Sequence, residues 1–199
     1  GAGPSGANGC PAVVSLWLVR HAQPLVAPGT CYGRLDVPAD PGATHDAAMA
    51  LAEVLPAGLR TTSSPLQRCT QLAELLCQLQ PPATFDTDAR LAEMDFGAWE
   101  GQPWEQISRA ALDAWTRNFA HHAPGGGETV TKFITRVAAA LAAVRSERQD
   151  TVWITHAGVM RAVTVLQTLG MATPLRSDRW PREALPFGGW QRWVLPPSA

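Results

Sequence analysis

One apolar strand that runs directly into two polar, ionisable residues constrains this chain more than any other feature. Residues 13–19 are apolar almost throughout, which is typical of a strand buried on both faces of a parallel sheet covered by helices. The strand leads directly into Arg20 and His21. Ligands of such sheets bind in the crevice at the carboxyl ends of the strands. The sequence therefore predicts a binding site at this pair.

The same arrangement recurs far downstream in the chain. Residues 152–155 form a second short apolar run, which ends in His156. A lone histidine is more often a partly buried structural residue than a ligand. An arginine at a strand end, however, is costly to bury unless an anion or a carboxylate meets it. Two histidines at strand ends, one of them beside Arg20, therefore indicate a site for an anion.

A third segment, residues 61–68, is predicted to be a strand followed by the start of a helix. Ser64 is a suitable N-cap, and Pro65 a suitable first helical residue. Arg68 then lies in the first turn, where free backbone N–H groups and the helix dipole already favour an anion. An arginine opposes that dipole, so we expect a bound phosphate to account for it. The alternative is an ordinary solvated surface charge.

A fourth segment, residues 91–101, is rich in glycine and aromatic residues and predicts a shaped loop rather than a helix. It supplies three acids, Glu93, Asp95 and Glu100. Acids in loops are usually solvated charges, and spacing alone does not choose among these three.

In this order the four segments resemble the histidine phosphatase superfamily, in the branch that contains cofactor-dependent phosphoglycerate mutase. The motifs that carry the resemblance are residues 20–23 (RHAQ), 63–68 (SSPLQR), 91–101 (LAEMDFGAWEG) and 155–159 (THAGV). One such motif is weak evidence, whereas four in order are highly specific. Residues 31–38 and 124–128 look most like α-ribazole phosphatases of cobalamin synthesis, although Leu35 and Ala39 replace the Thr and Leu usual there.

The resemblance implies a role for each matching residue. His21 is the implied nucleophile toward a phosphoryl group. Glu93 is the implied acid that protonates the leaving group and then deprotonates the attacking water. The implied groups that neutralise and position the phosphoryl oxygens are Arg20, Arg68 and His156. We also expect Gly33, in the long loop, and Ala157 to contact the phosphate, although a plain turn glycine is an equal interpretation of Gly33. No cofactor and no metal are implied. We expect Arg20, as the neighbouring cation, to lower the pKa of His21 and keep its ring neutral.

Other functions fit the residues less well. Asp86 and Asp88 match the Asp-x-Asp of haloacid-dehalogenase-type phosphatases, but too few residues follow Pro82 to form the buried strand that this motif requires. No cysteine spacing fits a zinc site. A mutase is one alternative, although only 35 positions separate Glu93 from Glu128, where mutases carry a longer insertion. A protein that binds a phosphorylated ligand without catalysis is the other.

Two further features bear on substrate recognition. The loop over residues 22–42 is long for a compact domain, and long loops are usually functional or disordered. Three tryptophans, Trp99, Trp104 and Trp115, either line a pocket for an aromatic base or pack in the interior, two readings that the sequence leaves equally open.

The composition is typical of one enzyme domain. A chain of 199 residues with 46% hydrophobic content can bury a full core. The net charge of -1 argues against a nucleic-acid partner. The resemblance to histidine phosphatases implies a small phosphorylated metabolite as the ligand. We expect residues 1–11 to be a flexible lead or a cloning remnant and residues 12–199 a single domain without a membrane span. The four cysteines form no disulfide framework, which favours a reducing cytoplasm.

Strands and helices alternate along the chain, which predicts an α/β fold. We expect a three-layer α/β/α sandwich with a mostly parallel sheet and helices on both faces, similar to phosphoglycerate mutase. The predicted strands are 13–19, 59–62, 83–85, 151–155 and 189–195, and the predicted helices are 44–55, 65–79, 103–119, 129–147 and 158–169.

Overall fold

A computed structural model describes residues 13–80, 84–171 and 175–197. The strands are β1 (Val14–Arg20), β2 (Arg60–Ser63), β3 (Phe85–Thr87), β4 (Thr151–Thr155) and β5 (Trp190–Leu195). The α-helices are α1 (Pro41–Val54), α2 (Gln67–Leu79), α3 (Arg109–Arg117), α4 (Val130–Glu147) and α5 (Ala157–Thr168). The predicted lead over residues 1–11 lies outside the described residues.

The five strands form one sheet in the order β3-β2-β4-β1-β5. The first four strands of that order are parallel, and β5 pairs antiparallel with β1 at the edge. Side chains alternate between the two faces along each buried strand, so both faces carry apolar side chains, and helices cover both. Leu16 and Leu18 of β1 pack with α4 and α5 on one face, whereas Val19 packs with α1 and α2 on the other. The three-layer sandwich predicted from the sequence is confirmed.

The parallel pairing brings the carboxyl ends of three strands to one edge of the sheet. Arg20 pairs with Thr155, and Ser63 pairs with Ile154. The ladder continues past the strands, because the N–H of His21 donates to the carbonyl oxygen of Thr155 at 3.2 Å. The residues that follow β1, β2 and β4 are therefore held side by side by backbone hydrogen bonds.

Several predicted helix boundaries are corrected by capping contacts. Helix α1 begins at Pro41 and not at residue 44, because the Asp40 carboxylate accepts the N–H of Ala43 at 2.7 Å. Helix α2 begins at Gln67, two residues later than predicted. The Ser64 hydroxyl closes a turn onto the N–H of Leu66 instead of capping the helix, and the N–H of Gln67 donates to Asp36 in the distant loop.

The helix predicted over residues 103–119 is two elements. A single 3-10 turn, Trp104–Gln106, is followed by extended backbone at Ile107 and then by α3. Ser108 caps α3 by accepting the N–H of Ala111 at 3.1 Å. Trp104, before the break, and Trp115, after it, line the same cavity.

The structure also shows the state of the cysteines and the character of the helices. Cys31, Cys69 and Cys77 are free thiols, and Cys10 lies outside the described residues. Within the described ranges, no helix is both long enough and apolar enough to cross a membrane.

Candidate active site

His21 lies at the end of β1, with 2% of its surface exposed. Its Nδ1 is 2.8 Å from the carbonyl oxygen of Ala22. A carbonyl oxygen only accepts hydrogen bonds, so Nδ1 carries the ring hydrogen in the neutral form. The lone pair is therefore on Nε2, which makes this nitrogen the nucleophilic atom of the ring.

Burial is the main cause that keeps the His21 ring neutral. It lowers the pKa of His21 from the ordinary 6.5 to about 3, and the nearby charge of Arg68 is the next largest cause. Arg20 contributes less than either of these. Arg20 thus lowers the pKa of His21 as expected, although burial and Arg68 act more strongly. The guanidinium of Arg20 is directed to the carbonyl oxygen of Leu185 and lies 4.0 Å from the centre of the Phe187 ring.

His156 lies beside His21, with 5.2 Å between the two ring centres. Its Nε2 is 2.7 Å from the hydroxyl oxygen of Ser64 and 3.5 Å from the sulfur of Cys69. Burial, followed by the charge of Arg68, lowers the pKa of His156 well below its ordinary value. The site thus holds two neutral imidazoles at the edge of the sheet.

Arg68 is completely buried in the first turn of α2. Its Nη1 and Nη2 donate to the carbonyl oxygens of Leu35 and Gly33, at 2.7 and 2.6 Å. The arginine thereby ties the long loop after β1 to the start of α2. Within the described part of the chain, the Nε–H groups of both Arg68 and Arg20 are buried without an acceptor.

Gly33 is required by a close approach of two loops. A Cβ atom at this position would lie 1.9 Å from the carbonyl oxygen of Met94. The N–H of Gly33 donates to Glu100 at 2.8 Å, so the backbone donor is already used. A direct contact of Gly33 with phosphate stays a prediction. Ala157, the other predicted backbone ligand, is the first residue of α5 and lines the cavity beside His21.

The structure separates the three acids that the sequence left equivalent. Glu100 accepts backbone N–H groups from Gly33, Arg34, Leu35 and Phe96, so it organises loops. Asp95 accepts the N–H of Gly97 at 2.8 Å. Glu93 alone of the three lines the cavity next to Arg20 and His21, and its Oε2 accepts the N–H of Gly158 at 3.0 Å in the first turn of α5.

Asp88 and Gly125 have structural roles. Asp88 accepts hydrogen bonds from the N–H and the guanidinium of Arg90, so an Asp-x-Asp site is not formed. Gly125, with a φ of 64°, lies so close to the acid loop that a Cβ atom would be 2.0 Å from the carbonyl oxygen of Phe96. Groups of three or more His, Cys, Asp or Glu side chains suited to a metal ion are absent from the described ranges.

A cavity of about 380 Å³ opens in front of His21. The charged residues that line it are Arg20, Arg161 and Glu93. The rest of its wall is largely aromatic and comprises Tyr32, Phe96, Trp104, Trp115, Phe119, Phe133 and Trp180. A larger cavity, of about 600 Å³, lies elsewhere and is lined by neither histidine. The cavity at His21 is therefore the one adjacent to the chemistry.

The three tryptophans of the sequence analysis have different locations. Trp104 and Trp115 line the cavity, whereas Trp99 is buried against Cys31 and Ile107. The prediction of a pocket is therefore right for Trp104 and Trp115, and that of interior packing is right for Trp99.

Sequence reasoning missed three contributors near the site, and two of them had a readable signal. Arg161 lies four residues after Ala157, so both lie on one face of α5. Arg136 is a charge within the apolar stripe of α4. Phe187 packs against Arg20 and His21 from the irregular segment before β5, where no pattern marks it.

Comparisons with known proteins agree with this geometry. The sequence profile of the histidine phosphatase superfamily (branch 1) matches residues 16–178. The protein named "Putative phosphoserine phosphatase 2" of Hydrogenobacter thermophilus is 30% identical over 158 residues, which cover 77% of this chain and 78% of that protein.

Two solved structures have a similar fold. TTHB049 of Thermus thermophilus is 31% identical with a TM-score of 0.67, over 92% of this chain and 97% of that one. Mycobacterial glucosyl-3-phosphoglycerate phosphatase is 23% identical with a TM-score of 0.75, over 90% and 89% of the two chains. At that identity the second likeness concerns the fold.

Proposed function

This chain belongs to branch 1 of the histidine phosphatase superfamily, and we propose that it hydrolyses phosphomonoesters by way of a phosphohistidine at His21. As a member of that family it is a metal-independent phosphatase. The observation that carries the proposal is the state of His21, a buried neutral ring whose Nδ1 is bonded to Ala22 and whose Nε2 lone pair is free to attack.

The surroundings of His21 suit a phosphoryl group. Phosphoryl transfer depends mainly on positioning and on neutralising charge at the equatorial oxygens. Arg20 and Arg68 each retain a buried Nε–H without an acceptor in the described part of the chain, and a buried unpaired donor is costly. We propose that phosphoryl oxygens accept from these arginines and from His156.

The proposed reaction has two steps. In the first, the lone pair of His21 Nε2 forms a bond to phosphorus while the bond from phosphorus to the alcohol oxygen breaks, and the Glu93 carboxyl gives its proton to that oxygen. In the second, Glu93 accepts a proton from a water whose oxygen attacks phosphorus. The bond between nitrogen and phosphorus breaks, and inorganic phosphate leaves with the imidazole neutral again.

The cavity supports a substrate with a large aromatic leaving group. Seven aromatic side chains line it, beside the charged side chains of Arg20, Arg161 and Glu93. Aromatic pairs are each worth about 0.5–1.5 kcal/mol beyond the burial of their area. We propose α-ribazole 5′-phosphate, a nucleotide with an aromatic base, as the substrate. The likeness of residues 31–38 and 124–128 to α-ribazole phosphatases supports the same choice.

Trapping the intermediate tests the chemistry. We expect labelled substrate, quenched in alkali, to leave its phosphoryl group on His21. We also expect His21→Ala to abolish both the label and turnover, with an unchanged far-UV circular dichroism spectrum. A label on His156 would show that the nucleophile is misassigned.

A substrate panel tests the specificity separately. We expect kcat/KM for α-ribazole 5′-phosphate to exceed that for ribose 5-phosphate by about tenfold or more, because each 1.4 kcal/mol of binding to the base is a factor of ten. O-phosphoserine and 3-phosphoglycerate complete the panel. A preference for O-phosphoserine would overturn the proposed substrate and leave the phosphohistidine chemistry intact.

A further inference from the structure

Arg136 of α4 occupies an unusual place for a charged residue. It lies on the buried side of the helix, with 18% of its side chain exposed, and its guanidinium is 4.6 Å from the centre of the Phe133 ring. Its five N–H groups make five hydrogen bonds. A guanidinium with all its donors used is fixed in both position and orientation.

Three of these hydrogen bonds go to the backbone that carries Glu93. Nη1 donates to the carbonyl oxygens of Arg90 and Ala92, at 2.8 and 2.6 Å. Nη2 donates to the carbonyl oxygen of Glu93 itself, at 3.1 Å. One side chain thus holds the segment immediately before and at Glu93 against α4.

Glu128 holds the other side of the same guanidinium. Its carboxylate accepts from Nε of Arg136 at 2.8 Å and from Nη2 at 3.0 Å, in a two-point contact of the kind only an arginine can make. Glu128 also exchanges two hydrogen bonds with the backbone of Asp95. Because only 12% of the Glu128 side chain is exposed, the pair is poorly screened by solvent and anchors both sides of Glu93.

The carboxyl of Glu93 has little freedom to compensate for a shift of its backbone. Its Oε2 is bonded to the N–H of Gly158, and a Cβ atom on Gly158 would lie 2.1 Å from Oε1. Arg136 and Glu128 are not among the residues that line the cavity. Their hydrogen bonds reach the cavity through the backbone at Glu93, whereas the charge of Arg136 also lowers the pKa of His156 and its guanidinium lies over Phe133. A substitution that keeps the positive charge therefore isolates the effect of the hydrogen bonds.

We infer that Arg136, held by Glu128, is a positioning residue that places the Glu93 carboxyl at the leaving-group oxygen. The inference rests on the proposed role of Glu93 as the acid. A displacement of about 1 Å at a catalytic group can cost on the order of 10²-fold in rate. Loss of the hydrogen bonds that the Arg136 guanidinium makes to Glu128 and to the backbone at Glu93 should therefore slow the substrates that need a proton donor. The arginines and histidines proposed to hold the phosphoryl group should keep their places.

Arg136→Lys keeps the positive charge but removes the planar guanidinium, and with it the two-point contact with Glu128. We expect it to lower kcat on an alkyl phosphate by about ten- to a hundredfold, and kcat on p-nitrophenyl phosphate by less than about threefold, because nitrophenolate leaves without a proton. Arg145→Lys is the matched control, since Arg145 also joins α4 to another element, through Gln167, away from the cavity. We expect it to leave the ratio of the two rates unchanged. An equal loss on both substrates in Arg136→Lys would overturn the inference.

A double-mutant cycle separates this inference from the proposed function. In a Glu93→Gln background, adding Arg136→Lys should change the ratio of the two rates no further. A further selective loss on the alkyl phosphate would overturn the inference. If Glu93→Gln alone shows no dependence on the leaving group, the proposed acid is wrong instead. Should Arg136→Lys fail to fold, Glu128→Gln tests the same inference. It weakens the contact that orients the Arg136 guanidinium, keeps the hydrogen bonds of Arg136 to the backbone, and should lower the rate on the alkyl phosphate more than that on p-nitrophenyl phosphate.

Discussion

The two sides of the candidate site are built differently. On the side that we propose holds the phosphoryl group, called the phosphate side, His21, Arg68 and His156 are at most 2% exposed and lie where two parallel strands end and a helix begins. On the leaving-group side, Trp104, Trp115 and Arg161 are partly exposed, and the wall is made largely of short helices and loops. The first side is held by backbone ladders, and the second by side-chain packing.

This difference indicates a division of labour. The groups that we propose hold the phosphoryl group lie at the sheet edge, where the hydrogen bonds of neighbouring strands fix the backbone. Most of those that we propose contact the variable part of a substrate lie on connecting segments, which tolerate change without loss of the fold. Glu93 lies between the two sides, on a loop that Arg136 attaches to a helix.

The largest effect is expected on the phosphate side, from Arg68→Met. Removing a donor that stabilises developing charge costs about 10²- to 10³-fold in kcat. We expect that loss to be the same for alkyl phosphates and for p-nitrophenyl phosphate, because the phosphoryl oxygens are common to both. Steady-state kinetics with a melting curve of the variant measure it. A loss confined to alkyl phosphates would show that Arg68 does not act on the phosphoryl oxygens.

The second largest effect is expected at Glu93, which lies between the two sides of the site. Glu93→Gln should slow alkyl phosphates on the order of 10²-fold and p-nitrophenyl phosphate only a few-fold, because a poor leaving group needs a proton donor. Glu100→Gln is the comparison, since Glu100 accepts only backbone hydrogen bonds of the loops. If the dependence on leaving group appears in Glu100→Gln and not in Glu93→Gln, Glu100 is the acid.

Burial of the phosphate side predicts an acid-sensitive stability. The unfolded imidazole of His21 binds a proton near pH 6.5, whereas the folded one does so near pH 3, so the unfolded state binds more protons in between. The free energy of unfolding should therefore fall as pH drops from 7 to 5, by about 2 kcal/mol for this histidine.

Urea unfolding at the two pH values measures this loss. We expect His21→Asn to reduce it and His45→Asn, at an exposed position, to leave it unchanged. Equal acid losses in the wild type and His21→Asn would contradict the prediction.

The smallest effect is expected on the leaving-group side. Trp104→Ala should raise KM for a nucleotide substrate by about tenfold, from the lost contact of one aromatic pair and its buried area. Ribose 5-phosphate is the control substrate, because it lacks the base and should keep its KM. Were the KM values for both substrates to rise equally, Trp104 would belong to the phosphate side.

Much of the phosphate side could be predicted from the sequence. The apolar runs that end in Arg20, His21 and His156 are local patterns, and the parallel alternation of strands and helices places their ends together. The choice of Glu93 came from the family resemblance, since Asp95 and Glu100 have the same local character. The boundary of α2 was predicted wrongly, because the carboxylate that accepts the N–H of Gln67 is Asp36, 31 positions earlier.

What the sequence by itself determined is therefore the part that local periodicity and strand ends encode, namely the sheet, its helices and the residues at its edge. The tertiary structure alone decided which acid faces the cavity, which charge acts most strongly on His21, and how the acid loop is held. Glu100 reaches Gly33 across 67 positions, and Arg136 reaches the Glu93 carbonyl across 43. Contacts of that range depend on how loops pack in space, and no repeat along the chain reports them, because hydrogen bonds between loops impose no periodicity on the residues that make them.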